Sequence, residues 1–566
     1  MKLHVSFSRL HRTRRLAAAA VLAWPLHAAS AQERAYAACG ARLLPVILPG
    51  GARDDEARAA TLLADRTWAL ARRSSDSART LMRRDTTAAR VRVGIVAPEL
   101  LVTSQHSFPL PDNDGPMWAG RGRTVSLTTG IAACGRGGRW GVIVAPTWWR
   151  SENRDVPRVT DPQVVPPFKP GASPFSSPYH FEPRSIDMPR RFGDDPVSRV
   201  EPGLLGAWIA TERVEVGITT EPEWWGPGLR NALLLSTQAA GVPRAYVRSV
   251  APLRLAGELD VQLFLGRLSW SDYFRDPAPA DSSRSLSGAM LVWRPWFDRR
   301  LQLGAARLVG APVAGNNLLV HALDVVRDVG RPNAIGRTDS TALRGPDQLF
   351  SVFAHWQLPD DHTAAWLEWG RAEQPASPTD LLASPNHSRA LTIGIQHVRP
   401  WTSRAGWSTR LAFEYTATNQ TGTFRERPAG SWYTSRSLPG GFTHRGQVLG
   451  AFIGPGSVTQ WGALDLATRR GSAGVFVQRI KWDDDSFYTI PRPLGNGLCK
   501  HDVTLAWGLR GVLRTLRFGE AEATVASQQR MNLYWQALGF CWANEELEVN
   551  ARNVAVTFRW RPPVLP

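Results

Sequence analysis

Val503-Thr504-Leu505-Ala506-Trp507-Gly508-Leu509-Arg510 alternates large apolar side chains with small or polar ones. Successive side chains of a strand point to opposite faces. Val503, Leu505, Trp507 and Leu509 therefore share one surface, and Thr504, Ala506, Gly508 and Arg510 the other. The same period runs through residues 257–266, where Leu259, Val261, Leu263 and Leu265 oppose Glu258, Asp260, Gln262 and Phe264. It returns at 350–357, 391–396 and 554–560. Charged and amide residues fall repeatedly on the second face, as a wet interior requires. Trp293, Trp296, Trp401, Trp407, Tyr415, Trp535 and Trp560 gather at the ends of such runs. An apolar outer face, a polar inner face and aromatic ends are the pattern of a transmembrane β-barrel.

Length agrees. Roughly 470 residues follow Val91, and membrane strands of about ten residues joined by alternating turns and loops use about 26 residues each, which gives about sixteen to twenty strands. Short turns are expected at 294–297 and 399–401, both Arg-Pro-Trp, on one rim. The Pro- and polar-rich stretches 153–196, 275–287, 329–345, 373–388 and 418–440 are expected as surface loops or inserted plugs.

The first 31 residues read as a secretory signal: Arg9, Arg12, Arg14 and Arg15, then an apolar stretch from Leu16 to Ala29, then Ala29-Ser30-Ala31 before Gln32. Residues 32–90 differ from the rest, and 54–84, without Gly or Pro, reads as amphipathic helix on the periplasmic side. Residues 91–566 carry the barrel. The chain is 43% hydrophobic with a mean hydropathy of −0.23, and no later run approaches the length of a membrane helix. Removing Lys2 and the four signal arginines from the formal charge of +18 leaves +13, nearly all of it arginine. An exported basic surface favours acidic polysaccharide or lipopolysaccharide phosphate over nucleic acid, for which no binding motif is present.

Cys39, Cys134, Cys499 and Cys541 allow three disulfide pairings. Cys39–Cys134 with Cys499–Cys541 is the local solution; structural staples and free thiols both fit better than chemistry. No HExxH, GxSxG, GxxxxGK[ST] or CxxC occurs. Asp483-Asp484-Asp485 has the hard oxygens calcium takes but lacks EF-hand spacing, so a solvated loop is the plainer reading. Neither metal nor cofactor nor catalysis is expected.

Residues 217–249 centre on Glu223-Trp224-Trp225-Gly226-Pro227-Gly228, followed by Arg230 and Asn231. Gly226 and Gly228 permit the bend and Pro227 stiffens it. This segment resembles the capsule assembly Wzi family. So do Asn113-Asp114-Gly115 with Trp118 and Gly120-Arg121-Gly122-Arg123, then Ser151-Glu152-Asn153, Arg191-Phe192-Gly193 and Glu201-Pro202-Gly203. A second block, from Gly441-Phe442-Thr443-His444-Arg445-Gly446 to Ile453-Gly454-Pro455-Gly456, is similar too. The resemblance implies an all-β outer-membrane barrel of about eighteen antiparallel strands with a small periplasmic N-terminal α-helical element. It also implies a lumen blocked by inserted segments and non-catalytic attachment of capsular polysaccharide or exopolysaccharide.

Sugar faces rest on Trp, and acidic sugars pair with Arg. Trp224, Trp225, Arg230, Trp118, Arg121 and Arg123 are thus the glycan-contact candidates, although the same residues also suit a purely structural brace. The expected partners are an acidic surface polysaccharide and outer-membrane lipid, with the barrel acting as a monomer. An open, anion-passing porin or glycan transporter is the alternative.

Overall fold

The computed structural model describes Asp55, Arg58 and Ala59 and, from Val91 to Pro562, every residue outside 109–119, 136–138, 157–185, 275–281, 315–316, 328–345, 374, 376, 426–428, 436, 490–499, 516 and 536–550. The helix expected over 54–84 lies outside the described residues except for Asp55, Arg58 and Ala59, which are helical and buried. The signal segment and Cys39, Cys499 and Cys541 also lie outside; Cys134 is disulfide-bonded.

Eighteen strands form one closed antiparallel sheet. They run β1 (Val91–Gln105), β2 (Gly122–Gly135), β3 (Trp140–Ser151), β4 (Val197–Ala210), β5 (Val214–Thr219) and β6 (Arg244–Ser249). There follow β7 (Gly257–Leu268), β8 (Ser282–Pro295), β9 (Leu301–Ala314), β10 (Asp347–Leu358), β11 (Thr363–Arg371) and β12 (Arg389–Pro400). The last six are β13 (Ser408–Ala417), β14 (Val458–Thr468), β15 (Gly471–Lys481), β16 (Val503–Thr515), β17 (Gly519–Met531) and β18 (Ala551–Arg561). Each strand pairs with the next in sequence, and β1 returns to β18 from Leu100↔Trp560 to Gln105↔Ala555. Closure leaves no strand edge, so the backbone groups are paired where lipid offers no hydrogen bonds.

The expected alternation sets the faces. Along β3, exposed and buried positions alternate without a break. On β16, Leu505, Trp507 and Leu509 are exposed, whereas Thr504, Ala506 and Arg510 are buried on the lumen side. Two register shifts interrupt the ladder, at Val96/Glu99 in β1 and at Ala145/Thr147 in β3. Each contains a proline, Pro98 or Pro146, which has no N–H to donate. Opposite Pro146 the chain carries Pro202-Gly203, and Gly203 has φ +58 with Ala145 O against the place a Cβ would occupy. A side chain there would break the bulge.

Connections alternate strictly. The short ones, at 136–139, 211–213, 250–256, 296–300, 359–362, 401–407, 469–470 and 516–518, all lie on one rim, together with the start of β1 and the end of β18. The strand ends that the long connections join lie on the other rim, which is the extracellular one by the usual asymmetry of such barrels. Both expected Arg-Pro-Trp turns fall on the periplasmic rim, where Trp296 and Trp401 are exposed. Trp535 departs from the expected girdle: it is buried in the lumen, 5.7 Å from the Phe487 ring. A tryptophan after a strand can wedge inward as readily as sit at the membrane interface, and here a turn through positive φ at Asn532, Tyr534 and Trp535 directs it inward.

Part of the interior is packed with apolar side chains. Tyr246, Phe264, Met290 and Phe353 point inward from the wall and join one large apolar cluster with Trp225, Leu233, Tyr433, Phe442 and Phe452 from long connections. No described helix is long and apolar enough to cross a membrane.

Candidate functional site

The connection between β5 and β6 enters the lumen instead of staying at the rim, and the Trp-Trp turn lies on it. Trp225 is buried, bridges by backbone to Leu235, and packs edge-on to Phe264 at 5.3 Å. Its Nε1 donates to Glu223 Oε2 at 2.7 Å. Glu223 also accepts from Arg244 Nη2 at 2.7 Å and Gln262 Nε2 at 2.6 Å, so this carboxylate fastens the turn to β6 and β7. Charge-assisted bonds of this kind are among the strong ones.

The other side of the turn is clasped by Glu414 of β13. Its carboxylate accepts the backbone N–H groups of Leu229 (2.5 Å), Arg230 (3.0 Å) and Asn231 (2.9 Å), and Trp366 Nε1 of β11 at 3.2 Å. Gly226 sits at φ +125, and a Cβ there would stand 2.5 Å from the Glu368 carboxylate of β11. Only glycine gives both that backbone angle and that approach.

From the periplasmic side, Arg58 donates to Pro227 O at 2.9 Å and Gly228 O at 3.2 Å. Asp55 bridges Arg410 of β13 (2.9 Å) and Arg510 of β16 (2.5 Å), and Asp465 of β14 pairs with the same two arginines at 2.8 and 2.6 Å. Two acids and two arginines thus satisfy each other in the lumen, as buried charge requires. Arg230 is buried, with its guanidinium 5.5 Å from the Trp461 ring centre.

The two blocks singled out in the sequence meet here. Ser236 donates from N to Leu449 O (2.7 Å) and from Oγ to Gly450 O (2.6 Å). Tyr433 donates to Leu233 O at 2.7 Å and accepts from Ala451 N at 2.8 Å. Thr443–His444 pairs with Gln447–Val448 in a small hairpin, and Arg284 of β8 donates to Gly441 O at 2.7 Å. Two long connections far apart in sequence form one plug.

Of the six glycan candidates, Trp225 and Arg230 are buried in this plug, and Trp224 is half-buried beside it. Arg121 is half-buried at the extracellular rim, where its side chain donates to Asp155 O and, at 3.4 Å, to His106 O, tying two loops together. Arg123 is exposed on the outward face of β2. Trp118 lies outside the described residues. The structure does not gather these six into one pocket.

A cleft at the extracellular rim is the one the sequence reading missed. Asn419, Gln420, Thr421, Gly422, Asp484, Asp485 and Tyr488 line a cavity of about 160 Å³. Tyr488 is exposed and stands edge-on to Phe487 at 5.1 Å. Asp483, Asp484 and Asp485 do not form the expected solvated loop: all three are buried, and Asp483 caps the short helix Asp484–Thr489, its Oδ1 accepting Ser486 N at 3.0 Å. Asp485 Oδ1 accepts Gln420 N at 2.7 Å, which joins the two loops. Burial pushes the Asp484 carboxyl up, but hydrogen bonds from His501 and Lys481 outweigh it and hold the group below the usual carboxylate range. Among the described residues no cluster of three His, Cys, Asp or Glu gathers to hold a metal.

No protein-family profile matches the chain, and no curated protein does. Among solved structures it is similar to Wzi of Escherichia coli, described as an outer-membrane protein involved in group 1 capsule assembly and a carbohydrate-binding β-barrel. That match has a TM-score of 0.51 and 12% identity over 90% of this chain and 89% of that one. OccK10 of Pseudomonas aeruginosa matches with a TM-score of 0.37 and 11% identity over 82% and 98%, and OccAB2 of Acinetobacter baumannii with 0.36 and 9% over 82% and 98%. The closed sheet, its lipid-facing surface and the first of these likenesses together establish an eighteen-stranded barrel of the outer membrane.

Proposed function

We propose that this barrel binds or anchors capsular polysaccharide or exopolysaccharide at the cell surface without catalysing a reaction, and that it does so as a monomer. The observation that carries the reading is the packing inside the lumen: two long connections, with Asp55 and Arg58, occupy space a porin would leave for solute. The carbohydrate-binding description of Wzi supports it, at the level of fold. With the lumen occupied, the extracellular surface is where a polymer meets the protein.

The rim cleft supplies what a sugar needs. Tyr488 offers an exposed ring face, Asn419, Gln420 and Thr421 offer donors and acceptors for hydroxyls, and the carboxylates of Asp484 and Asp485 add strong acceptors. The basic net charge draws an acidic polymer to the surface over a longer range, so capture weakens as salt is added. Trp225 and Arg230 act as the brace that holds the loops beneath.

Tyr488→Ala is expected to reduce retention of the organism's own surface polysaccharide by the detergent-purified barrel about tenfold, since stacking and its amplification by multivalency are both lost. Barrel abundance and heat-modifiability are expected to stay at wild-type levels. The check is a pull-down with that polysaccharide across a salt series. Wild-type protein that is folded and retains no glycan would overturn the reading; equal retention by wild type and variant would remove the cleft from it.

A further inference from the structure

The outward face of β3 reads like a depth gauge. Trp140, Val142, Val144, Pro146 and Trp148 are exposed in turn, and Arg150 follows. Trp140 stands at the periplasmic end and Trp148 near the extracellular end. Eight residues at about 3.3 Å each give roughly 26 Å of strand. With a tilt of about 40°, that is roughly 20 Å of membrane depth, close to the apolar band of such barrels. Trp148 therefore sits at the outer interface, and Arg150 lies one pleat beyond it, in the headgroup layer.

β2 repeats the order. Leu127 pairs with Trp148 and Val125 with Arg150, so Arg123 falls one pleat further out on the same face. Arg552, at the extracellular start of β18, is likewise exposed and outward. Ser198 and Val200 on β4, Val102 and Ser104 on β1, and Val554 on β18 occupy the neighbouring outward positions, none of them acidic. Glu152 lies on the same face across from Arg123, and its carboxylate is taken by Arg154 at 2.9 Å and by the backbone N–H of Arg123 at 3.2 Å. Arg150 stands one pleat above Trp148 and Arg123 above Val125 and Leu127, and among the described residues Glu152 pairs with Arg154 rather than with either of them.

We propose that this face is a seat for the phosphate groups of outer-leaflet lipopolysaccharide, with Arg123 and Arg150 donating to one headgroup and Arg552 bordering it. The planar fork of arginine matches phosphate oxygens two at a time, and Trp148 below gives the acyl chains an interfacial ring to pack on. The basic face and the glycolipid's anionic phosphates are complementary where they meet, and Glu152, the carboxylate on this face among the described residues, is engaged by Arg154.

The test uses the full chain in detergent with purified lipid A as the probe, in bisphosphorylated and dephosphorylated forms, and native mass spectrometry as the readout. The paired substitution Arg123→Ala with Arg150→Ala is expected to weaken retention of the bisphosphorylated lipid about tenfold or more. Arg123→Lys with Arg150→Lys is expected to keep most of it, and the dephosphorylated lipid to bind wild type as weakly as the paired alanine variant binds the intact lipid. Wild-type retention by a heat-modifiable paired alanine variant overturns the proposal. So does equal binding of the two lipids to wild-type protein, a comparison that stands even if the variants fail to fold.

Discussion

Glu414→Ala is expected to release the Trp-Trp turn from the barrel wall while the wall itself survives. The substitution leaves the N–H groups of Leu229, Arg230 and Asn231 buried without their acceptor. Each orphaned donor costs about 1–3 kcal/mol, so even partial reorganisation leaves a deficit of several kcal/mol, concentrated at this turn. In hydrogen exchange, amide protection at 229–231 is expected to fall by roughly two orders of magnitude or more, which corresponds to about 3 kcal/mol. Ladder amides of β13 and β14 are expected to keep theirs, because their bonds run between neighbouring strands. Glu414→Gln retains one carbonyl acceptor and is expected to fall between. Unchanged protection at 229–231 in Glu414→Ala would remove the clasp from the account.

Trp225→Ala and Arg230→Ala are expected to separate by size. Trp225 is almost fully buried against Phe264 and holds Glu223 through its indole N–H, so truncation opens a cavity and loosens a carboxylate together. Large aromatic truncations of this kind cost about 3–5 kcal/mol. Arg230 sets its guanidinium over Trp461, an interaction of about 0.5–2 kcal/mol, and places its charge near the Glu414 and Asp55 carboxylates, but its truncation removes no packed aromatic ring. In heat-modifiability melts, Trp225→Ala is therefore expected to give the larger drop, with Arg230→Ala a modest one. A reversed order would mean that the charge of Arg230, and not the packing of Trp225, holds the plug.

The parts of this fold that were legible in the sequence are those set by neighbours a few residues apart. Alternation at 503–510 and 257–266 gives the two faces of the wall, and Arg-Pro-Trp at 294–297 and 399–401 marks turns of one rim. Closure of β1 on β18 depends on residues at opposite ends of the barrel, which no local period reveals. Inserted segments in the lumen were expected, but what clasps them was hidden for a related reason. An inward glutamate such as Glu414 reads identically whether it lines water or clasps a loop, and the difference lies in Leu229–Asn231, far away in the chain. The blocks around Trp225 and Phe442 stood out by their resemblance to a family, but nothing in either showed that Tyr433 and Ser236 bind them together. The rim cleft is assembled from 419–422 and 484–488, two short stretches that carry no motif.

The central claim is that the lumen is filled and that the protein works at its outer surface. Single-channel recording of the wild-type full chain in planar bilayers tests it most directly. A barrel of this size with the plug seated is expected to give a silent trace at moderate voltage, with no steps above the leak. Stable, stepwise anion current from protein that is heat-modifiable in the same preparation would contradict the account and favour an open porin.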